Sequence, residues 1–135
     1  MFVRDLNSDG EPEVLLDLYT AGAHCCYLSR FFFFDGQRYR SLQHNFGDAG
    51  YRVKDFDGDG TPELVSADAR FGYQFSSFAS SLFPLQVWRY DGEELRDVTR
   101  TFPAQIRSDL RRAWRLYRNA LRHRVYEPRG MIAAW

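Results

Sequence analysis

Lysine is almost absent from this sequence: of 18 basic residues only Lys54 is not arginine, a bias from which no function follows by itself. Cysteine is scarce, with two residues in 135, so a framework of several disulfides is excluded. The two lie side by side as Cys25 and Cys26, next to His24, whereas paired zinc cysteines normally stand about two to four residues apart. Adjacent strand residues point to opposite faces, so one buried and one exposed thiol is the simplest expectation. A vicinal disulfide, or pairing with a part of the protein beyond this chain, stays open. The three histidines, His24, His44 and His123, have no nucleophile at a recognisable spacing. No apolar run approaches the roughly 18 residues that a membrane-spanning helix needs. The opening stretch "MFVRDLNSDG" has neither the basic nor the apolar region of a secretory leader.

What the sequence does contain is aromatic and acidic. Aromatics make up 17% of the chain, with 12 Phe and 8 Tyr, which favours strands. A chain of this length makes about one domain. The formal charge of zero conceals two regions of opposite sign: residues 1–99 carry 16 acidic and 9 basic side chains, residues 100–135 carry 2 and 9.

The acidic residues recur in step. "DLNSDGEPE" at 5–13 returns as "DFDGDGTPE" at 55–63, an offset of 50 that also aligns Val3 with Val53. Each loop runs into an apolar stretch, "EVLLDLYT" or "ELVSADAR". Further on, "RFFFFDGQRYRSL" and "LQVWRYDGEELRDV" each set Asp-Gly between two strand-like runs, a hairpin signal. The offset between Asp35 and Asp91 is 56, and the added residues fall in "FGYQFSSFASSLFP". The chain therefore reads as mainly β, with two propeller-blade-like antiparallel four-stranded repeats at 1–50 and 51–100 and a helical segment at 101–135. The first repeat is short at its start and the last segment lacks a stop signal, so a piece of a longer array is expected. "FFFF" at 31–34 is expected to be a strand packed on both sides.

Numbered from its first Asp, each loop offers oxygens at alternate positions: Asp5, Asn7 and Asp9 in the first copy, Asp55, Asp57 and Asp59 in the second. Glycine at position six, Gly10 or Gly60, permits a sharp turn. Position seven, Glu11 or Thr61, presents a backbone carbonyl, and Glu13 or Glu63 at position nine closes the set. Such an oxygen cage suits Ca2+ better than the stricter octahedron of magnesium. An EF-hand needs its closing Glu at position twelve, where Leu16 and Ser66 stand, so the site is strand-loop-strand. Four carboxylates against three predict tighter binding by the second loop. Backbone-capping Asp/Gly turns are the bland alternative to metal.

These loops resemble the calcium loops of FG-GAP or VCBS repeats, the blades of integrin-alpha-type and bacterial surface propellers. The resemblance covers about residues 1–99 and implies calcium ligands at positions one, three, five, seven and nine. Family members usually carry Asp where Glu13 and Glu63 stand, the Gly-Ala-Pro element is missing, and Phe71-Gly72 is a faint counterpart of the Phe-Gly element. "AGAHCC" is similar to a stretch of uncharacterised exported bacterial proteins. The resemblance implies a secreted, periplasmic or cell-surface module with a structural or ligand-binding role, engaging a protein or glycan and further blades or copies. An accessory or catalytic domain of a secreted hydrolase is the rival.

From Pro103, Ile106, Leu110, Ala113, Trp114, Tyr117, Ala120 and Leu121 fall at helical spacing and predict an amphipathic helix to about Val125. Its other face carries Arg107, Arg111, Arg112, Arg115, Arg118 and Arg122, expected to be solvated, to bridge to the acidic repeats or to meet an anionic surface. Nucleic acid is not favoured as the partner.

Overall fold

The computed structural model describes residues 1–22, 25–123 and 128–134, and of Cys25 and Cys26 the backbone alone. The expectations for His24 and for the pairing of the two thiols thus lie outside the described residues. Two four-stranded antiparallel sheets follow each other along the chain. The first comprises β1 (Phe2–Arg4), β2 (Glu13–Gly22), β3 (Cys25–Phe34) and β4 (Tyr39–Asn45). The second comprises β5 (Arg52–Lys54), β6 (Glu63–Ala67), β7 (Leu85–Tyr90) and β8 (Leu95–Asp97). Both are simple meanders, the strand order of a propeller blade, yet among the described residues they close into neither a propeller nor a barrel.

Register makes the repeats equivalent where it matters. Arg4 pairs with Glu13 and Lys54 with Glu63, so each acidic loop connects the same two strand ends. The hairpins match as well. Asp35 Oδ1 accepts hydrogen bonds from the Gln37 and Arg38 amides at 3.0 Å, and Asp91 Oδ1 does the same for Glu93 and Glu94 at 3.1 and 3.0 Å. The extra length of the second repeat forms two short 3-10 turns, Ala69–Phe71 and Phe78–Ser80, between β6 and β7.

One core serves both sheets. Leu6, Leu15, Phe31, Phe33 and Phe46 of the first repeat are buried with Leu64 and Tyr90 of the second, and Tyr51 and Trp88 pack against them. Each such side chain adds about 1.5–3 kcal/mol on burial. The aromatic run is split by the pleat: Phe31 and Phe33 enter the core, while Phe34 is 41% exposed. That differs from the expected two-sided packing, because only one face of β3 meets the other sheet. A polar clasp reinforces the junction, with the Tyr51 hydroxyl and Ser29 Oγ both donating to Asp17 Oδ1, at 2.8 and 2.6 Å.

The C-terminal helix α1 runs Pro103–Arg122, with proline at its first position where no amide partner is needed. It packs against β7, and Asp109 Oδ2 accepts the Leu85 amide at 3.0 Å. The buried line is narrower than the apolar stripe. Ala113 and Ala120 are buried, but Leu110, Trp114 and Leu121 are 43–49% exposed. The next residues, 124–127, are outside the described set.

Candidate metal centre

The two loops fold by the same local hydrogen bonds. At position one, Asp5 accepts from the amides of Ser8 and Gly10 at 2.6 and 2.9 Å, and Asp55 accepts from Gly58 and Gly60 at 2.6 and 3.1 Å. At position three, Asn7 Oδ1 and Asp57 Oδ1 accept the amides two residues on, both at 3.3 Å. At position five, Asp9 and Asp59 accept from Glu11 and Thr61 at 2.8 and 2.7 Å. At position nine, buried Glu13 and Glu63 each turn Oε2 back onto the amide of position two, Leu6 or Phe56, at 2.8 Å. Short acidic side chains thus fold the loop by capping its amides. Position six requires a left-handed backbone, with φ of +89° at Gly10 and +91° at Gly60, which glycine adopts without a Cβ penalty.

In the second loop capping occupies one oxygen each of Asp57, Asp59 and Glu63 and leaves the other available, while both oxygens of Asp55 accept amides. In the first loop Asn7 has no second oxygen. The spare oxygens of the second loop converge. An oxygen of Asp55, already an amide acceptor, and ligand atoms of Asp57 and Glu63 lie within 4.8 Å of one another, the one such group of three among the described residues. A cation already sits there. Arg89 Nη2 is 3.2 Å from Asp57 Oδ2 and 3.3 Å from Asp59 Oδ2 and bonds Glu63 Oε1, while its Nε donates to the same Glu63 oxygen at 3.0 Å. Hydrogen bonding to Glu63 holds the Arg89 guanidinium above its usual pKa, opposed by burial and reinforced by the Glu63, Asp59 and Asp57 charges.

The first loop has no such partner among the described residues. In the hairpin alignment Phe33 stands where the second repeat has Arg89. Instead Asn7 Nδ2 donates to Asp9 Oδ2 at 2.8 Å, and Glu11 points into solvent. Burial raises the Glu13 pKa, the Leu6 amide and its own lower it, and repulsion from Asp9 and Asp5 raises it further. The loops also touch: Ser8 Oγ lies 3.3 Å from both the Gly60 carbonyl and Thr61 Oγ1.

All the donors are hard oxygens, and three carboxylates of the second loop already surround one cationic nitrogen, so this set fits a calcium ion better than a softer metal. Asp55, Asp57, Asp59 and Glu63, with the carbonyl of Thr61, would hold it in the second loop. Asp5, Asn7, Asp9 and Glu13, with the carbonyl of Glu11, would hold it in the first. Residue types alone did not reveal Arg89. The signal was nonetheless present as a difference between copies, since "FFFF" aligns with "VWRY" and the third position changes from apolar to cationic.

A separate cleft of about 490 Å3 opens between the sheets, lined by His44, Phe46, Asp68, Trp88 and Asp97 among others. Burial pushes the His44 imidazole below its usual pKa, and its ring lies 4.2 Å from that of Trp88.

No family model matches the chain, and no solved structure matches it. It is similar to an uncharacterized protein of Sinorhizobium fredii, 34% identical over 128 residues that cover 93% of this chain and 20% of that relative. It is also similar to a probable thylakoid lumen protein of Synechocystis, 35% identical over 101 residues that cover 72% of this chain and 30% of the relative. The chain therefore spans less than a third of the length of either relative.

Proposed function

We propose that the chain is a calcium-binding module of the FG-GAP or VCBS type, structural or ligand-binding and not catalytic, within an exported protein of the periplasm, extracellular space or cell surface. The observation that carries this reading is the convergence of spare carboxylate oxygens in the second loop on a cation, within a hydrogen-bond scaffold that the first loop reproduces. Calcium in either loop would tie two strand ends together and offset the repulsion among its carboxylates. Location in an exported compartment is supported by the similarity to a probable thylakoid lumen protein. Weak calcium loops fill where calcium is plentiful.

Thermal melting in calcium, magnesium and EDTA tests the reading, since a ligand held only by the native state raises the melting temperature by mass action. Calcium is expected to raise it by several degrees and magnesium by less. A melting temperature indifferent to millimolar calcium and to EDTA would sink the proposal.

The exposed Leu110, Trp114 and Leu121 beside Arg107, Arg111, Arg115, Arg118 and Arg122 favour a second reading, in which α1 meets an anionic lipid surface. Sedimentation with phosphatidylglycerol vesicles, abolished by salt and by Trp114→Ser, is the expected outcome. Equal recovery with neutral vesicles would refute it.

A further inference from the structure

The second loop contains its own cation, and the first has none among the described residues. Arg89 reaches the loop from β7, directly across from Glu63 on β6, since the pairing of Leu64 with Trp88 sets Glu63 opposite Arg89. Its Nη2 touches Asp57, Asp59 and Glu63 together, three of the carboxylates that a metal in that loop would use. Resting on the calcium reading, we propose that Arg89 is a tethered competitor of the metal: it closes the second loop when calcium is scarce and must leave when calcium enters.

The argument is electrostatic. Guanidinium and calcium claim the same oxygens, and a cation left beside the ion would repel it across a few ångströms. Calcium must therefore displace the arginine, at the loss of its charge-assisted hydrogen bonds to Glu63 and Asp57 and its ion pair with Asp59. Displacement is feasible because the Arg89 side chain is 32% exposed and the Asp57 and Asp59 side chains are 41% and 44% exposed, so the guanidinium has a path to water. Glu63 is wholly buried and cannot follow it. The first loop pays no such penalty, because Phe33 is packed in the core and brings no charge. The order of affinity then reverses the one given by counting carboxylates. The first loop becomes the constitutive calcium site, and the second becomes one that responds only at higher calcium.

The test is calorimetric titration of calcium into the full chain carrying Asp9→Asn, which weakens the first loop, with Arg89 intact, Arg89→Met or Arg89→Lys. Arg89→Met is expected to raise the affinity of the second loop by about tenfold or more, and Arg89→Lys, which keeps the charge, to change it by less than about threefold. An affinity unchanged or lowered by Arg89→Met overturns the competition while leaving calcium binding intact. No binding heat in any protein, with or without Asp9→Asn, overturns the calcium reading itself and the competition with it. Should Arg89→Met fail to fold, the Arg89 Nε–H resonance of the unmodified chain decides. It is expected to move to the position of a solvated arginine as calcium saturates the second loop, and a resonance that stays in place overturns the proposal.

Discussion

The two acidic loops share one backbone and differ in their charge balance. Every capping bond of the first has a counterpart in the second, from the amide of position two onto Glu13 or Glu63 to the paired amides on Asp5 or Asp55. The second gains Arg89 from the neighbouring strand, while the first gains Phe33. Loop conformation is thus a local property of nine residues. Loop electrostatics is set by a residue 26 positions after Glu63, which only sheet pairing brings near.

The largest effect is expected where the comparison should vanish, in the core that the repeats share. Phe31→Ala empties a wholly buried site and should cost about 4 kcal/mol. Because Phe31 of the first repeat is clustered with Leu64 and Tyr90 of the second, urea unfolding should remain one transition by fluorescence and circular dichroism. Two transitions would show that the sheets are separate units.

The position-nine glutamates sharpen the contrast between the loops. In EDTA, Glu63→Ala should cost about 3 kcal/mol, since it removes the buried partner of the half-exposed Arg89 together with the acceptor of the Phe56 amide, and leaves Arg89 with the partly exposed Asp57 and Asp59 alone. Glu13→Ala should cost only about 1 kcal/mol, because the lost bond from the Leu6 amide is offset by relief of a buried, repelled carboxylate. Equal losses in denaturant midpoints would mean that Arg89 contributes no asymmetry.

His44 probes the junction by pH. It packs between Phe46 of its own repeat and Trp88 of the other, and burial lowers its pKa below 6.5. Below pH 6.5 the unfolded chain binds the proton first, so stability falls as pH drops toward the folded pKa and is flat above 6.5 for this group. His44→Phe should remove that slope from a series of melting temperatures, and a slope that persists would assign it elsewhere.

The smallest effect concerns loop position four, where the first repeat has Ser8 at φ +63° and the second has Gly58 at φ +82°. Ser8→Gly relieves a left-handed backbone at the loss of weak bonds to the second loop, so a gain of about 0.5 kcal/mol is expected. A net loss by chemical denaturation would show that contact between the loops outweighs the strain.

Much of this was legible beforehand, for physical reasons that can be named. Asp35-Gly36 and Asp91-Gly92 announced the hairpins because an Asp carboxylate caps the turn amides and glycine takes positive φ, +86° and +100° here. The helix from Pro103 followed from spacing, but which edge of its stripe is buried did not. Ala113 and Ala120 are buried while the larger Leu110 and Trp114 stay half exposed, which depends on the elements that cover the helix. The expectation of two-sided burial for 31–34 failed at Phe34 for the same reason, since burial depends on where another layer lies.

By itself the sequence determined what depends on neighbours along the chain: the duplicated loops, their capping bonds, the turns and the period of each strand. Only the tertiary structure decided which charges meet. Coulombic interaction and burial depend on distance in space, and the register of β6 against β7 sets Arg89 among the carboxylates of one loop while Phe33 takes its place near the other.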